Sequence, residues 1–258
     1  MRQFPSPFTP WLLVAALLPA GCAASRPEIR WYTLVANPRG LVVAVDGAGG
    51  WHATSDALRQ VLRTQGVPLA VEVPEWSHGL GRIVADEIDC AHVRAEGQRL
   101  ALTVAAYRQA CPGGSLYLVG HSAGAAVVLA AADVLPPDSV SRIILLAPAV
   151  SAAYDLRPAL RASRGGVDVF YSQRDVAYLG VGVALLGTAD GQGGPAAGRV
   201  GFRPRAECPD DLALFARLRQ HPWHPCVAWT GNRGGHYGSY EQEFLKAYVV
   251  PLLTVPGP

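Results

Sequence analysis

Short apolar runs recur along the chain, each separated from the next by a segment of helical periodicity. LVVAV (41–45), LAVEV (69–73), SLYLVG (115–120), SRIILLAPAV (141–150), VDVFY (167–171) and CVAWT (226–230) are aliphatic or β-branched and bounded by turn-forming residues, which predicts strands. Between them, TSDALRQVLRTQG (54–66) opens on Thr-Ser-Asp and closes on Gly, the punctuation of a capped helix. The segment from Asp86 to Ala110 is largely helical and is stopped by Pro112 and Gly113. A third helix runs from Ser122 to about Leu135, where Pro136 and Pro137 halt it. YDLRPALRAS (154–163) forms a short helix that tolerates Pro158 near its first turn. Further helices are expected near Asp210 to Gln220 and from about Tyr240 onward. The Gly/Ala-rich stretch 180–201 has little periodicity and reads equally as a flap or as a loose connection. Strands that are apolar throughout and alternate with helices describe an α/β domain: a mostly parallel sheet of about six strands, helices on both faces.

Nothing in the 258 residues marks a second domain after this unit, which spans 39–258. Half of the residues are apolar, enough for a sizeable core. The formal charge of +2 is small and scattered, so a nucleic-acid partner is not expected. All the basic residues except Lys246 are arginines. The first 22 residues read as a signal: a weakly basic start, the apolar run WLLVAALLPA, then GCAAS. Ten apolar residues are too few to span a bilayer. The segment resembles a bacterial lipoprotein signal, which would make Cys22 the lipidated first residue and attach the protein to a membrane. It departs from that pattern in carrying Pro19 three positions before the cysteine, with Leu18 one place too early. Ordinary export with cleavage near Ala23 or Ala24 is the alternative. Either way the mature protein is exported, to the cell envelope, the periplasm or the medium, with residues 23–38 as a linker.

Export changes the meaning of the cysteines. Without Cys22 there remain Cys90, Cys111, Cys208 and Cys226, and an exported chain favours disulfides. A helix from 90 to 110 would hold its ends ~30 Å apart, which excludes Cys90 with Cys111. Cys208 with Cys226 closes a short helical segment and is the expected bridge. The same two cysteines with His221 and His224 could be read as four metal ligands, but their spacing fits no common zinc pattern and no metal is expected.

The candidate chemistry lies in Gly120-His121-Ser122-Ala123-Gly124. A bare G-x-S-x-G arises by chance roughly 0.1 to 0.2 times in such a chain, so its setting decides. Here a strand precedes it and a helix follows, placing a serine on a sharp turn where its hydroxyl stands clear at the carboxyl edge of the sheet. A serine nucleophile needs a base, and the base needs an orienting acid, at later strand ends. Asp175 follows VDVFY by four residues, and His236 lies in the loop TGNRGGHYGS after the last predicted strand. Asp190 and Asp155 compete for the acid, and His52, His78, His221 and His224 for the base. The helix N-terminus offers the Ala123 amide to an oxyanion, and the loop DGAGG after the first strand offers that of Ala48 beside Gly47. His121 is expected to line or position the site, and Trp76, in PEWSHGLGR (74–82), to line the pocket mouth.

From Leu41 to the last helix, about 210 residues, these features resemble an α/β-hydrolase. The resemblance implies Ser122 as nucleophile, His236 as general base and then acid, Asp175 as its orienter, and the Ala48 and Ala123 amides as the oxyanion hole. Asp46 stands where many esterases have histidine, and only about twenty residues separate Leu146 from Val167, so a lid is not expected. The implied activity is cofactor-free hydrolysis of a small-molecule carboxylic ester by a monomer. Thioester, amide and acyl-transfer chemistry use the same machinery. The alternative is a hydrolase-fold binding or scaffold protein that has lost turnover.

Overall fold

The computed structural model describes residues 39–254. The expected signal at 1–22 with Cys22, and the linker at 23–38, lie outside the described residues. Six parallel strands form one sheet: β1 (Gly40–Val45), β2 (Leu69–Glu72), β3 (Ser115–His121), β4 (Arg142–Leu146), β5 (Val167–Tyr171) and β6 (Leu218–Pro222). Their order across the sheet is β2-β1-β3-β4-β5-β6. The chain therefore winds outward from β1 in one direction to β2 and then in the other, and the crevice between β1 and β3 faces the carboxyl ends of both.

The central strands are largely apolar on both faces because both are covered. In β1, Leu41, Val43 and Val45 pack on one side against α3 (Cys90–Ala110), α4 (Gly124–Ala132) and α5 (Arg157–Ala162). Val42 and Ala44 face the other side, where α1 (Ala53–Thr64) contributes Leu58, Val61 and Leu62, and the C-terminal helices contribute Phe244, Leu245 and Val249. Each fully buried leucine of this kind contributes about 1.5–3 kcal/mol of transfer free energy. The helix α2 (Ile83–Ile88) and α3 meet at Asp89, whose side chain accepts from the His92 amide and so caps α3.

Two expectations are corrected on the β6 side. The last strand is LRQHP, and CVAWT instead forms part of a 3-10 helix, Pro225–Thr230. The helix expected over Asp210 to Gln220 is the short α8 (Pro209–Phe215), which ends before the strand. β6 is polar because it closes a charged ladder. Buried Asp168 of β5 accepts from Arg142 of β4 at 2.8 Å, and from Arg219 and His221 of β6 at 2.9 Å each. Burial alone would raise the Asp168 carboxyl, but these donors hold it well below the ordinary range. His221 is thus committed to Asp168 and joins no metal cluster; none exists among the described residues.

The Cys208–Cys226 disulfide is a third correction. Both residues are exposed free thiols, as Cys111 is, while Cys90 is partly buried and also free. The bridge was expected across one short helix, whereas α8 and β6 both lie between the two cysteines.

The β5–β6 connection holds a π-helical turn (Ala177–Gly182), α6 (Val183–Leu186), α7 (Ala197–Val200) and α8. Leu179, Val183 and Ala196 pack with Ala147 and Ala149 into a small core of their own, so this stretch is seated on the sheet edge. The β4–β5 connection contains α5 and no other helix.

Candidate active site

The carboxyl ends of β1, β3 and β5 and the loop after the 3-10 helix converge on one point. β3 ends at His121, and Ser122 follows with φ +52°, a left-handed conformation costly for a residue with a side chain. The turn is held open from both sides. The Ser122 amide donates to the Leu146 carbonyl of β4 at 3.0 Å, and the Ser122 carbonyl accepts from Ala125 and Ala149. Gly124 meets β1 so closely that a Cβ there would lie 2.2 Å from the Asp46 carbonyl oxygen. Only glycine lets α4 start this close to the first strand.

His236 joins the turn to β5. Its Nε2 lies 2.9 Å from Ser122 Oγ and its Nδ1 lies 2.6 Å from Asp175 Oδ2. All three residues are buried, and Asp175 also receives a longer bond from the Leu179 amide at 3.4 Å. The competing residues are engaged elsewhere: Asp190 accepts from the Ser151 amide, Asp155 pairs with Arg157, and His78 is bound to Asp86. His52 lies beside Asp46 and Glu75, and His224 accepts from the Cys226 amide.

The loop after β1 approaches the serine from above. A Cβ on Gly47 would lie 3.0 Å from His121 Nδ1 and 3.1 Å from Ser122 Cβ, so Gly47 sets the closest approach of loop and nucleophile candidate. The amides of Ala48 and Ala123 donate to no acceptor among the described residues, which leaves both free for an oxygen placed beside Ser122. The loop is anchored by two carboxylates. Asp46 turns back to accept from the Thr54 and Ser55 amides at 2.8 and 3.0 Å, capping α1, and burial raises its carboxyl above the ordinary value. Asp86, fully buried on α2, accepts from the Gly49 amide at 2.7 Å and also from Ser77 and His78.

His121 borders the site. Its Nε2 lies 3.3 Å from the His236 carbonyl oxygen, and its ring packs between those of His236 and Tyr240 at 5.0 Å from each. Burial and the neighbouring His236 push its pKa down to about 3, so it is a neutral imidazole at neutral pH. Trp76 requires correction. It is buried in the core under the loop, where its Nε1 donates to the Asp46 carbonyl at 2.8 Å, and it does not reach the cavity. An aromatic residue in a loop at a strand end pointed to the pocket; the indole instead found a buried acceptor.

Two cavities flank Ser122, His236 and Asp175. One of about 400 Å³ opens on Ser122 and His236 and is bordered by Gly47, Ala48, Trp51, Glu87, Tyr178 and Tyr240. The other, about 310 Å³, lies against Asp175, Phe170 and Trp223 and does not include the serine. The first is therefore where a molecule can reach the hydroxyl. Of its residues, Trp51, Glu87, Tyr178, Tyr237 and Tyr240 carried no sequence signal. Tyr178 stacks on His236 at 4.8 Å, which gives the β5–β6 connection a direct place beside the site.

Sheet order, strand-turn-helix serine and convergent loops define an α/β-hydrolase. Residues 36–180 match the sequence profile of the hydrolase family described as serine aminopeptidase, S33, and the chain belongs to that family. A search of curated proteins finds no match. Among solved structures, the chain is similar to a poly(3-hydroxybutyrate) depolymerase from Bordetella parapertussis, at 16% identity over 84% of this chain and 80% of that one, TM-score 0.51. It is also similar to a lidless α/β serine hydrolase from Xanthomonas campestris, at 18% identity over 87% of each chain, TM-score 0.45. A hydrolase of the α/β superfamily from Xanthomonas campestris pv. campestris matches at 19% identity over 84% and 99%, TM-score 0.46.

Proposed function

We propose that this chain is a serine esterase. The observation that carries the reading is the unbroken chain of hydrogen bonds from Asp175 through His236 to Ser122, at 2.6 and 2.9 Å. Such a chain lets His236 take the serine proton as the hydroxyl attacks, while Asp175 holds the imidazole in the required tautomer. Ser122 Oγ bonds to the ester carbonyl carbon, and the oxyanion that forms accepts from the Ala48 and Ala123 amides. The tetrahedral intermediate then expels the alcohol, which takes its proton from His236, and leaves an acyl-enzyme. Water, deprotonated by His236, releases the acid and restores the serine. No step calls for a group beyond these side chains and amides.

The N-terminal signal-like segment supports export, with Cys22 as the attachment point for lipid. The mass of the mature N-terminus tests it, an unmodified chain starting at Ala24 or Ser25 excluding the anchor.

The test of the activity is labelling by a fluorophosphonate probe with a panel of carboxylic esters. Wild-type protein is expected to label and to turn over esters, and Ser122→Ala to do neither. Folded wild-type protein that neither labels nor hydrolyses any ester overturns the proposal.

A further inference from the structure

The cavity beside Ser122 has an unusual charge pattern. Two carboxylates border it, Glu87 and Asp46, and no lysine or arginine does. Glu87 has no hydrogen bond or ion pair among the described residues; burial, and then the neighbouring Asp86 charge, push its carboxyl up to about 7. Asp46 is nine-tenths buried, and its Oδ2 has no hydrogen-bond partner, with His52 Nδ1 3.7 Å away. Of the two histidines on the wall, His121 is held neutral by burial, and His236 is engaged with Asp175.

This arrangement is adverse to the chemistry proposed for Ser122. A reaction that builds negative charge on an oxyanion loses from an uncompensated carboxylate nearby, and a desolvated carboxylate is costly in itself. Both penalties vanish if the molecule that fills the cavity carries a positive charge. The remaining wall suits one kind of cation. Trp51, half exposed, and Tyr178, Tyr237 and Tyr240 line the same space, with ring centroids 5.1 Å apart for Tyr178 and Tyr237 and 5.8 Å for Tyr237 and Tyr240. Aromatic faces attract diffuse cations of low hydration, whereas a primary ammonium needs acceptors for three N–H groups.

We propose that this cavity contains a subsite for an alkylated ammonium group, with Glu87 as its counter-charge and Trp51, Tyr178, Tyr237 and Tyr240 as its aromatic wall. The substrates are then esters that carry such a group in the acyl or the alcohol part. The inference rests on the esterase reading for the word substrate, but the subsite itself is a matter of binding.

Isothermal titration with tetramethylammonium chloride, in sodium chloride of matched ionic strength, tests the subsite without turnover. Saturable binding to wild-type protein is expected, weakened ~10-fold or more by Glu87→Gln. Trp51→Leu, at a half-exposed position outside the core, is expected to weaken it ~3-fold or more. No saturable binding, or equal affinity in Glu87→Gln, overturns the proposal. The second arm compares trimethylammonium esters with their tert-butyl isosteres, the cation placed once in the alcohol and once in the acyl part. In at least one orientation kcat/KM is expected to favour the cation by ~10-fold or more, and that ratio to collapse in Glu87→Gln. Hydrolysis of all four esters without preference sinks the subsite and leaves the esterase standing. Hydrolysis of none, with no fluorophosphonate labelling, sinks the esterase, and the titration still decides the subsite.

Discussion

Asp86→Asn tests the idea that a residue with no contact to Ser122 holds the oxyanion loop in place. The native carboxylate is fully buried and accepts four hydrogen bonds: from the Gly49 amide at 2.7 Å, Ser77 Oγ at 2.6 Å, the His78 amide at 2.8 Å and His78 Nδ1 at 2.9 Å. Burial raises its pKa, but the bonds from Ser77, Gly49 and His78 outweigh burial, and the carboxyl lies below its ordinary value. Asparagine keeps one acceptor oxygen and turns an NH2 group on the donors served by the other. Two bonds to a charged group are lost, at ~1.5–3 kcal/mol each before relaxation, so a net loss of about 2–4 kcal/mol is expected. For a domain of this size that lowers Tm by about 5–15 °C. Because Gly49 adjoins Ala48, the amide assigned to the oxyanion shifts too, and kcat should fall ~10²-fold with KM little changed.

The pH dependence supplies an independent check with a definite sign. A carboxyl depressed in the folded state stabilises the fold above its ordinary pKa and loses that contribution as pH falls through the folded value. The Tm difference between wild type and Asp86→Asn is therefore full at neutral pH, starts to shrink below pH ~4 and closes as pH falls through the lower folded value. Melting curves by circular dichroism from pH 3.5 to 8, with ester kinetics at pH 7.5, measure both quantities. A variant that melts within ~1 °C of wild type at neutral pH and keeps its kcat refutes the argument.

Four further outcomes follow from the same geometry. Asp175→Asn should keep the fold and lower kcat ~10³–10⁴-fold, since the amide can donate to His236 and favour the wrong tautomer; an intact rate in the purified variant would remove Asp175 from the mechanism. Gly124→Ala places a Cβ 2.2 Å from the Asp46 carbonyl oxygen, so a loss of ~3 kcal/mol or more is expected, read as loss of soluble protein or a sharp fall in Tm. Glu87 is raised when folded, so it costs stability as pH rises from its ordinary 4.5 through about 7; Glu87→Gln should therefore be neutral at pH 4 and raise stability by ~2 kcal/mol at pH 8, and equal melting at both values counts against it. Cys208→Ser with Cys226→Ser should leave Tm within ~1 °C, and thiol titration of the unreduced wild-type protein should find both free; a fall of several degrees would indicate a bridge.

The parts of the fold that the sequence discloses are those where one physical requirement dominates. β1, β3, β4 and β5 are buried on both faces, so they are largely apolar and stand out from any helix. Ser122 and Asp175 are legible because they follow strands that stand out as apolar, whereas His236 was placed after a strand that is in fact a 3-10 helix and was picked out by its glycine-bracketed loop near the chain's end. β6 failed the same test for a physical reason. Its side chains answer the buried charge of Asp168 rather than the hydrophobic core, and a strand whose partner is a carboxylate reads as polar. The apolar CVAWT was mistaken for it, although Trp229 is largely exposed and Val227 only rests against the C-terminal helices.

The cavity wall was hidden at a different level. Glu87 sits among Asp86, Asp89 and Ile88 in a stretch that reads as an ordinary charged helix start, and what singles it out is the absence of a partner. Neighbouring Asp86 looks identical in sequence and has the opposite fate, saturated with donors and depressed where Glu87 is raised. One position's rotation around a helix decides which carboxylate builds the loop and which faces the cavity, because successive residues on a helix point ~100° apart. Asp46 shows the same dependence: it stands where many esterases have histidine, and its Oδ1 serves two amides at the start of α1. The departure thus ties the loop to the start of α1 through helix capping, and leaves its second oxygen buried without a hydrogen-bond partner.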